Sequence, residues 1–310
     1  MINKIVIAGG NGFLGTVLYE YFAQHAKEVI VIARKKMPER GNLKSVLWDG
    51  KNIGDWSTTL EGADVLINLA GKNVNCRYTE ENKKLIYSSR LDSTHVLGRA
   101  LQQCQNPPKL WINMSSATIY NASFDRYQTE ASDDVGDDFS MDVCKQWETA
   151  FNKYHNARTR KALIRTSIVL GNDGGALPVL KNLVKVGMGS RQGDGRQFCS
   201  WIHERDFCRV IQWIISNSSA SGIYNVVAPQ PVINSELMCK LRRAMNKSWA
   251  LPMPQWLLEL GAVLIGTETE LILKSRKVYP KRLLDEGFVF EFSDAEHALE
   301  DLCQNVKNQS

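Results

Sequence analysis

Residues 4–15 read KIVIAGGNGFLG, and this stretch decides the fold. An apolar run of strand length, Ile5 to Ala8, meets a glycine turn, and a helix-like segment opens at Phe13. Gly10, Gly12 and Gly15 satisfy G-x-G-x-x-G, while Gly9, Gly12 and Gly15 satisfy G-x-x-G-x-x-G. Residues without Cβ let backbone N–H groups approach a pyrophosphate at a helix N-terminus. A turn placed directly after the first strand and opening a helix is where a dinucleotide-binding fold requires it. The bland alternative is a tight turn in some other α/β protein. On the binding reading, the cofactor contacts begin with Gly9, Gly10, Asn11, Gly12, Phe13, Leu14 and Gly15.

Outward from this turn, strand-like and helix-like runs alternate. A helix over about 13–25 precedes EVIVIA. DVLINLAG follows, then a helix from about Glu80 to Gln103, the strand LWINMSS, a helix over 142–156, and KALIRTSIVLG as one strand. Continuous apolar runs indicate strands covered on both faces, and their alternation with helices predicts a doubly wound parallel sheet, an α/β Rossmann fold. The acid-rich segment 121–138 has no period and reads as a surface loop or lid. Beyond GIYNVVAPQP, prolines 229, 231, 252 and 254 punctuate a mostly helical remainder. This predicts a nucleotide-binding domain over 1–228 and a smaller helical domain over 229–310.

The composition is that of an ordinary globular protein: 310 residues, 44% apolar, 23% charged, net charge +5. No long basic block supports a nucleic-acid surface. The seven cysteines contain no C-x-x-C pair and read as reduced thiols in a cytoplasmic protein. The five histidines are isolated, so no metal site is expected. No export signal precedes the first strand. The stretch WLLELGAVLIG (256–266) carries Glu259 and is too short to span a bilayer, so it reads as a buried or amphipathic helix and no membrane association is expected. The expected partners are a small-molecule substrate and a second copy in a homodimer.

The second strand ends VIARKK. An acid here would receive the adenosine ribose hydroxyls; a cation accommodates a 2′-phosphate instead. Arg34, Lys35 and Lys36 stand here with no acid beside them, which favours NADP(H) over NAD. A solvated basic turn is the alternative.

The glycine turn, NLAG at 68–71 and SSATIY at 115–120 resemble the extended short-chain dehydrogenase/reductase superfamily, which includes sugar-nucleotide epimerases and dehydratases. The match gives Ser116 the place of the substrate-binding serine. A Tyr-x-x-x-Lys pair then follows in that superfamily. Its tyrosine exchanges a proton with the substrate oxygen, and its lysine lowers the tyrosine pKa and holds the nicotinamide ribose. The helix here reads MDVCKQWETAF, with Cys144 in the tyrosine's place and Glu148 in the lysine's, one above the other on one helix face. A carboxylate cannot do the lysine's electrostatic work. Glu148 is open to accepting ribose hydroxyls; Cys144 is open to two readings, weak acid or buried apolar thiol.

Cys-x-x-Trp-Glu, NLAG, SSR at 88–90, GGAL at 174–177, GDGRQF at 193–198, SWIHERD at 200–206 and VYPKRLLDEGF at 278–288 look more closely like an atypical NADP-binding "epimerase family" branch, whose small C-terminal domain has no defined role. The resemblance implies NADP contacts at the glycine turn, Ala33, Arg34, Leu69, Ala70, Gly71, Arg90, Ser167 and Ile168. This chain departs from the pattern at Lys72, Asn121, Ala122, Glu204 and Arg205, residues that flank the substrate pocket. Tyr120 could offer a phenol or simply pack. Gln197, Trp201 and His203 follow a glycine-rich loop suited to a phosphate or sugar, though a structural turn, with His203 tied to an acid such as Asp206, explains them equally well. The expected activity is hydride transfer on a small polar or nucleotide-sugar-like substrate, with Ser116 holding it and Cys144, Tyr120 or water giving the proton. The alternative is a non-catalytic NADP-binding sensor.

Overall fold

The computed structural model describes residues 2–259 and 273–304. Seven strands form one parallel sheet: β1 (Ile2–Ala8), β2 (Ala26–Ala33), β3 (Leu43–Leu47), β4 (Val65–Asn68), β5 (Leu110–Ser116), β6 (Arg160–Thr166) and β10 (Gly222–Val226), in the order β10-β6-β5-β4-β1-β2-β3. The expected Rossmann architecture is present. Ile5, Val6 and Ile7 of β1 are all fully buried, because helices cover both faces. One face packs on α1 (Phe13–Ala23) and α5 (Glu204–Ser216). The other packs on α2 (Glu80–Gln103) and α3 (Phe139–Asn152).

The chain crosses from β1 to β2 and β3 on one side, then returns to lay β4 on the other side of β1. Ligands bind such sheets outside the carboxyl ends of the strands at this switch point. Here those ends carry Ala8, Asn68 and Ser116, with Ala33 at the end of β2.

KALIRTSIVLG is two strands, not one. The chain leaves the main sheet at Ser167, and β7 (Ile168–Leu170) pairs with β9 (Trp201–His203). Ser167 Oγ donates to Ser200 O at 2.7 Å and marks the break. Just before β9, β8 (Phe198–Cys199) pairs antiparallel with β11 (Val232–Ile233). The helix expected over 142–156 begins and ends earlier, at Phe139–Asn152.

A third core mixes residues on both sides of position 228. Leu170, Leu177, Leu180, Val184 and Trp201 join Leu237, Leu241, Ala298, Leu299 and Leu302, drawn from α4 (Leu177–Lys185), α6 (Asn234–Ala244) and α8 (Ala295–Gln304). Between α6 and α8, Leu283 of α7 (Lys281–Asp285) enters the core of the main sheet beside Tyr224 and Val226. A cut at 228/229 therefore divides packed cores. The segment 121–138 is strapped down rather than hinged free: Gln128 N donates to Lys277 O, and Tyr279 N to Gln128 O, both at 2.8 Å. Ser275 Oγ also donates to Ser123 O at 2.7 Å. Most of the apolar stretch 256–266 lies outside the described residues. Among the described residues no helix is long and apolar enough to cross a membrane, and no group of His, Cys, Asp and Glu is arranged to hold a metal ion.

Candidate cofactor and active site

The glycine turn is a cradle that side chains would fill. Gly9 has φ +75°, and a Cβ there would lie 2.6 Å from Ala70 Cα. A Cβ on Gly15 would lie 2.3 Å from Gly10 O. These two glycines let the turn, the NLAG segment and the start of α1 close on one another. Gly12 differs: a Cβ there meets nothing within 4 Å. It caps α1 with no side-chain cap of its own, and no acid occupies the first turn. The positive helix end thus has neither a capping side chain on Gly12 nor an acid in its first turn, and there is room above Gly12, which suits a pyrophosphate. Arg34 and Lys35 are exposed at the end of β2 and pair with no acid among the described residues. The residues present fit a phosphorylated dinucleotide.

The NLAG segment is held from behind by a buried polar chain that the sequence reading missed. Asn68 Nδ2 donates to Asn113 Oδ1 at 2.7 Å and Thr94 Oγ1 at 3.1 Å, while Asn68 Oδ1 accepts from Ala70 N at 3.1 Å. Trp147 Nε1 donates to the same Thr94 hydroxyl at 3.0 Å. Satisfied buried amides of this kind fix one backbone path. Polar Asn68 and Asn113 within otherwise apolar strands were the available signal.

Arg90 reaches over Gly71. Its Nη1 donates to Lys72 O and Ile86 O, both at 3.1 Å, and its guanidinium lies 5.1 Å from the Trp147 ring centre. A Cβ on Gly71 would stand 3.1 Å from Arg90 Cζ.

Ser116 ends β5, with its Oγ donating to Thr118 Oγ1 at 2.9 Å and accepting from Thr118 N at 3.1 Å. Cys144 lies against the Ser116 main chain and is 4% exposed, beside Ala117, Ile119 and Tyr120. Burial, reinforced by Glu148 and opposed by Arg90 and Arg165, pushes the thiol up to about 12. Cys144 thus stands as a neutral thiol at the superfamily's tyrosine position.

Glu148 does not point to a ribose. It accepts Arg165 Nε at 2.9 Å, Arg165 Nη2 at 2.7 Å and Ser115 Oγ at 2.6 Å. Both side chains of the ion pair are about nine-tenths buried. Arg165 Nη1 continues to Tyr120 Oη at 2.9 Å, and Tyr120 donates to Asn225 Oδ1 at 2.9 Å. Tyr120 is fully buried, so its phenol is structural here. Alternation along β5 explains the division of labour: Ser115 faces this ion pair and Ser116 the opposite side. Arg165 escaped the sequence reading, although a lone arginine in the apolar strand KALIRT was its signal. Tyr87 escaped it too; this phenol donates to Asp142 at 2.5 Å on the side of α3 near Cys144.

The residues read as a substrate loop turn inward. Trp201 is fully buried and Gln197 and His203 are 2% exposed. Trp201 Nε1 donates to Gln230 O at 3.0 Å, and Gln197 Nε2 to Gln192 O at 3.0 Å. His203 stacks on Phe292 at 3.9 Å, accepts Arg205 N at 3.0 Å, and lies 3.3 Å from Asp301 Oδ2. Burial holds it neutral, lowered to about 4. Asp206, the acid expected beside it, instead accepts Glu291 N and Phe292 N. Pairing of β9 with β7 sends these side chains into the third core, where the glycine loop alone pointed to an open site. Glu204 packs under the 171–175 loop, and burial lifts its carboxyl to about 7. Two cavities lie away from the switch point. One, about 710 Å³, lies by Lys109 and Arg160 at the amino ends of β5 and β6; the other, about 510 Å³, lies by Tyr21 and Phe288.

Comparison with known proteins agrees with this geometry. Residues 5–227 match the NAD dependent epimerase/dehydratase family, and residues 253–302 match a domain of unknown function, DUF1731. The chain is 32% identical over 305 residues to the epimerase family protein YfhF of Bacillus subtilis (strain 168), covering 98% of this chain and 99% of that one. It is 29% identical over 303 residues to the mouse (Mus musculus) epimerase family protein SDR39U1, covering 96% and 99%. Human SDR39U1, solved with NADPH, superposes with a TM-score of 0.86 at 28% identity, covering 97% of this chain and 99% of that one. A nucleoside-diphosphate sugar epimerase from Corynebacterium glutamicum gives 0.77 at 30% identity, covering 98% of this chain and 59% of that one. Matched from its first strand through its C-terminal helices, the chain belongs to the NAD dependent epimerase/dehydratase family, in the branch that carries a DUF1731 domain.

Proposed function

We propose that the protein is an NADP(H)-dependent reductase of a small polar carbonyl compound, in which Ser116 holds the carbonyl oxygen and Cys144 protonates it. The observation that carries this reading is the exchange of the superfamily's proton-transfer pair for a neutral thiol and a self-paired carboxylate. Bound NADPH would supply the hydride. The glycine turn, Arg34 and Lys35 suit its phosphates, and a relative at 28% identity was captured with it.

Acidity suits the resting thiol to the proton-giving half of the reaction. Reduction makes an alkoxide, whose conjugate acid has a pKa near that of water, about 16. A thiol at about 12 gives it a proton downhill. Oxidation needs the thiolate, the form that burial disfavours. An epimerase that oxidises and re-reduces in one cycle starts from the thiolate form, so the resting thiol suits reduction as the first step. Nucleotide sugars remain in the substrate class only in their keto forms.

NADPH oxidation followed at 340 nm across a panel of small hydroxyketones, keto acids and hydroxyaldehydes tests the reading. Turnover by wild type that falls at least 100-fold in Ser116→Ala and Cys144→Ala, with NADPH affinity retained, supports it. The buried Cys144 thiol also suits a second reading, a non-catalytic NADP(H)-binding sensor. Tight NADPH binding with no oxidation on the whole panel would favour that.

A further inference from the structure

We propose that Arg90 does the electrostatic work that a lysine at position 148 would do: its guanidinium holds positive charge beside Cys144 and stabilises the thiolate left when the thiol gives up its proton. The inference rests on the reading of Cys144 as proton donor.

The ion pair that replaces the lysine cannot serve. Arg165 is matched oxygen for nitrogen by Glu148, so the pair brings no net charge to the thiol. Arg90 is different. Its bonds go to two main-chain carbonyls, and it forms no ion pair among the described residues. No side chain among the described residues therefore cancels its charge.

Its position is fixed from three directions. Ile86, one turn earlier on α2, and Lys72 hold Nη1; Gly71 leaves room for Cζ; and Trp147 lies across the guanidinium face. Trp147 is itself tied to Thr94. Trp147 and Cys144 are three residues apart on α3, hence on one face, so a cation clamped on the indole lies on the thiol's side of that helix. Burial pulls the Arg90 pKa down, and Cys144 is foremost among the groups that offset this, ahead of Tyr78 and Cys76. Conversely, Arg90 is the strongest influence favouring the Cys144 thiolate.

The proton step balances without another reagent. As hydride reaches the carbonyl carbon, the C=O π pair moves to oxygen, and that oxygen takes the S–H proton. The S–H bonding pair stays on Cys144 as thiolate, next to Arg90, until water returns a proton.

The test is thiol reactivity, not turnover. Full-length protein is treated with methyl methanethiosulfonate at pH 8, and labelling of Cys144 and of buried Cys199 is followed by peptide mass spectrometry in wild type, Arg90→Lys and Arg90→Met. Lysine keeps a cation and methionine does not at similar side-chain length, and Cys199 reports any general loosening, so the ratio of Cys144 rates tracks mainly the charge. One unit of thiol acidity lowers the thiolate fraction tenfold, while the more basic thiolate is about threefold more nucleophilic, leaving a net three- to fourfold change. The expected result is Cys144 labelling about three- to tenfold slower in Arg90→Met than in Arg90→Lys, with Cys199 equal in both. Equal Cys144 rates in the two variants, or a faster rate in Arg90→Met, would overturn the proposal. Because labelling is read without a substrate, failure here is distinct from failure of the Cys144→Ala turnover test.

Discussion

Replacing Arg165 by methionine should remove about 3–5 kcal/mol of folding stability, because it leaves the Glu148 carboxylate buried without its cation. The pair is deep enough for this figure to apply undiscounted, since its side chains are 7% and 10% exposed. Two hydrogen bonds to Glu148 and one to Tyr120 disappear with the guanidinium. Unfolding entropy of roughly 2.1 cal/mol/K per residue gives about 0.65 kcal/mol/K for this chain, so the melting temperature should fall by about 5–8 °C. The double variant Arg165→Met/Glu148→Leu removes both charges, and apolar replacement of a buried pair is commonly neutral or stabilising. It should recover most of the loss, short by about 1 kcal/mol because Ser115 Oγ also loses its acceptor. Urea and thermal unfolding of wild type, single and double variants measure all three. A single variant within 1 kcal/mol of wild type, or a double variant no better than the single, would refute the view that this pair is a compensated buried charge. The same reasoning says that Glu148→Lys, which restores the superfamily's residue, should be worse than Glu148→Gln, because it sets a second cation against Arg165.

Three further outcomes are expected. Gly12→Ala should melt within about 1 kcal/mol of wild type, since its Cβ meets no atom, yet calorimetry should find NADPH binding weakened at least tenfold by the methyl group in the phosphate's path; unchanged affinity would mean that phosphates do not approach here. Arg34→Glu should lower the NADPH-over-NADH preference at least tenfold, because a carboxylate suits ribose hydroxyls and repels a 2′-phosphate; an unchanged ratio of the two dissociation constants would count against the phosphate assignment. Glu204→Gln should stabilise the protein by about 1–2 kcal/mol at pH 8, discounted for partial exposure, and leave it unchanged near pH 4. The folded-state pKa of about 7 lies above an unfolded value near 4.5, so the native state binds the extra proton, stability falls as pH rises through that window, and a neutral amide escapes the loss. Melting curves of both proteins between pH 4 and 8 give the check.

Much of this was legible in the residues. KIVIAGGNGFLG determines strand, turn and helix because its glycines and apolar run act on immediate neighbours. The continuous runs EVIVIA, VLIN and LWINMSS identify strands buried on both faces for the same local reason. Arg34, one residue beyond β2, is likewise a local signal, since the end of a strand fixes the place of the next residue.

What the tertiary structure alone decided concerns partners distant in sequence. Glu148 faces Arg165 rather than a ribose because β6 lies under α3, a fact no spacing within MDVCKQWETAF contains. His203 meets Phe292 and Asp301, about a hundred residues on, instead of Asp206 close by. Trp201 turns into a core that exists only once α4, α6 and α8 pack together. Local pattern determines what a backbone segment becomes, since propensity and turn chemistry act over a few residues. Whether a carboxylate, thiol or imidazole is free for chemistry depends on which remote charge or ring the fold sets against it, and burial makes those remote terms the largest.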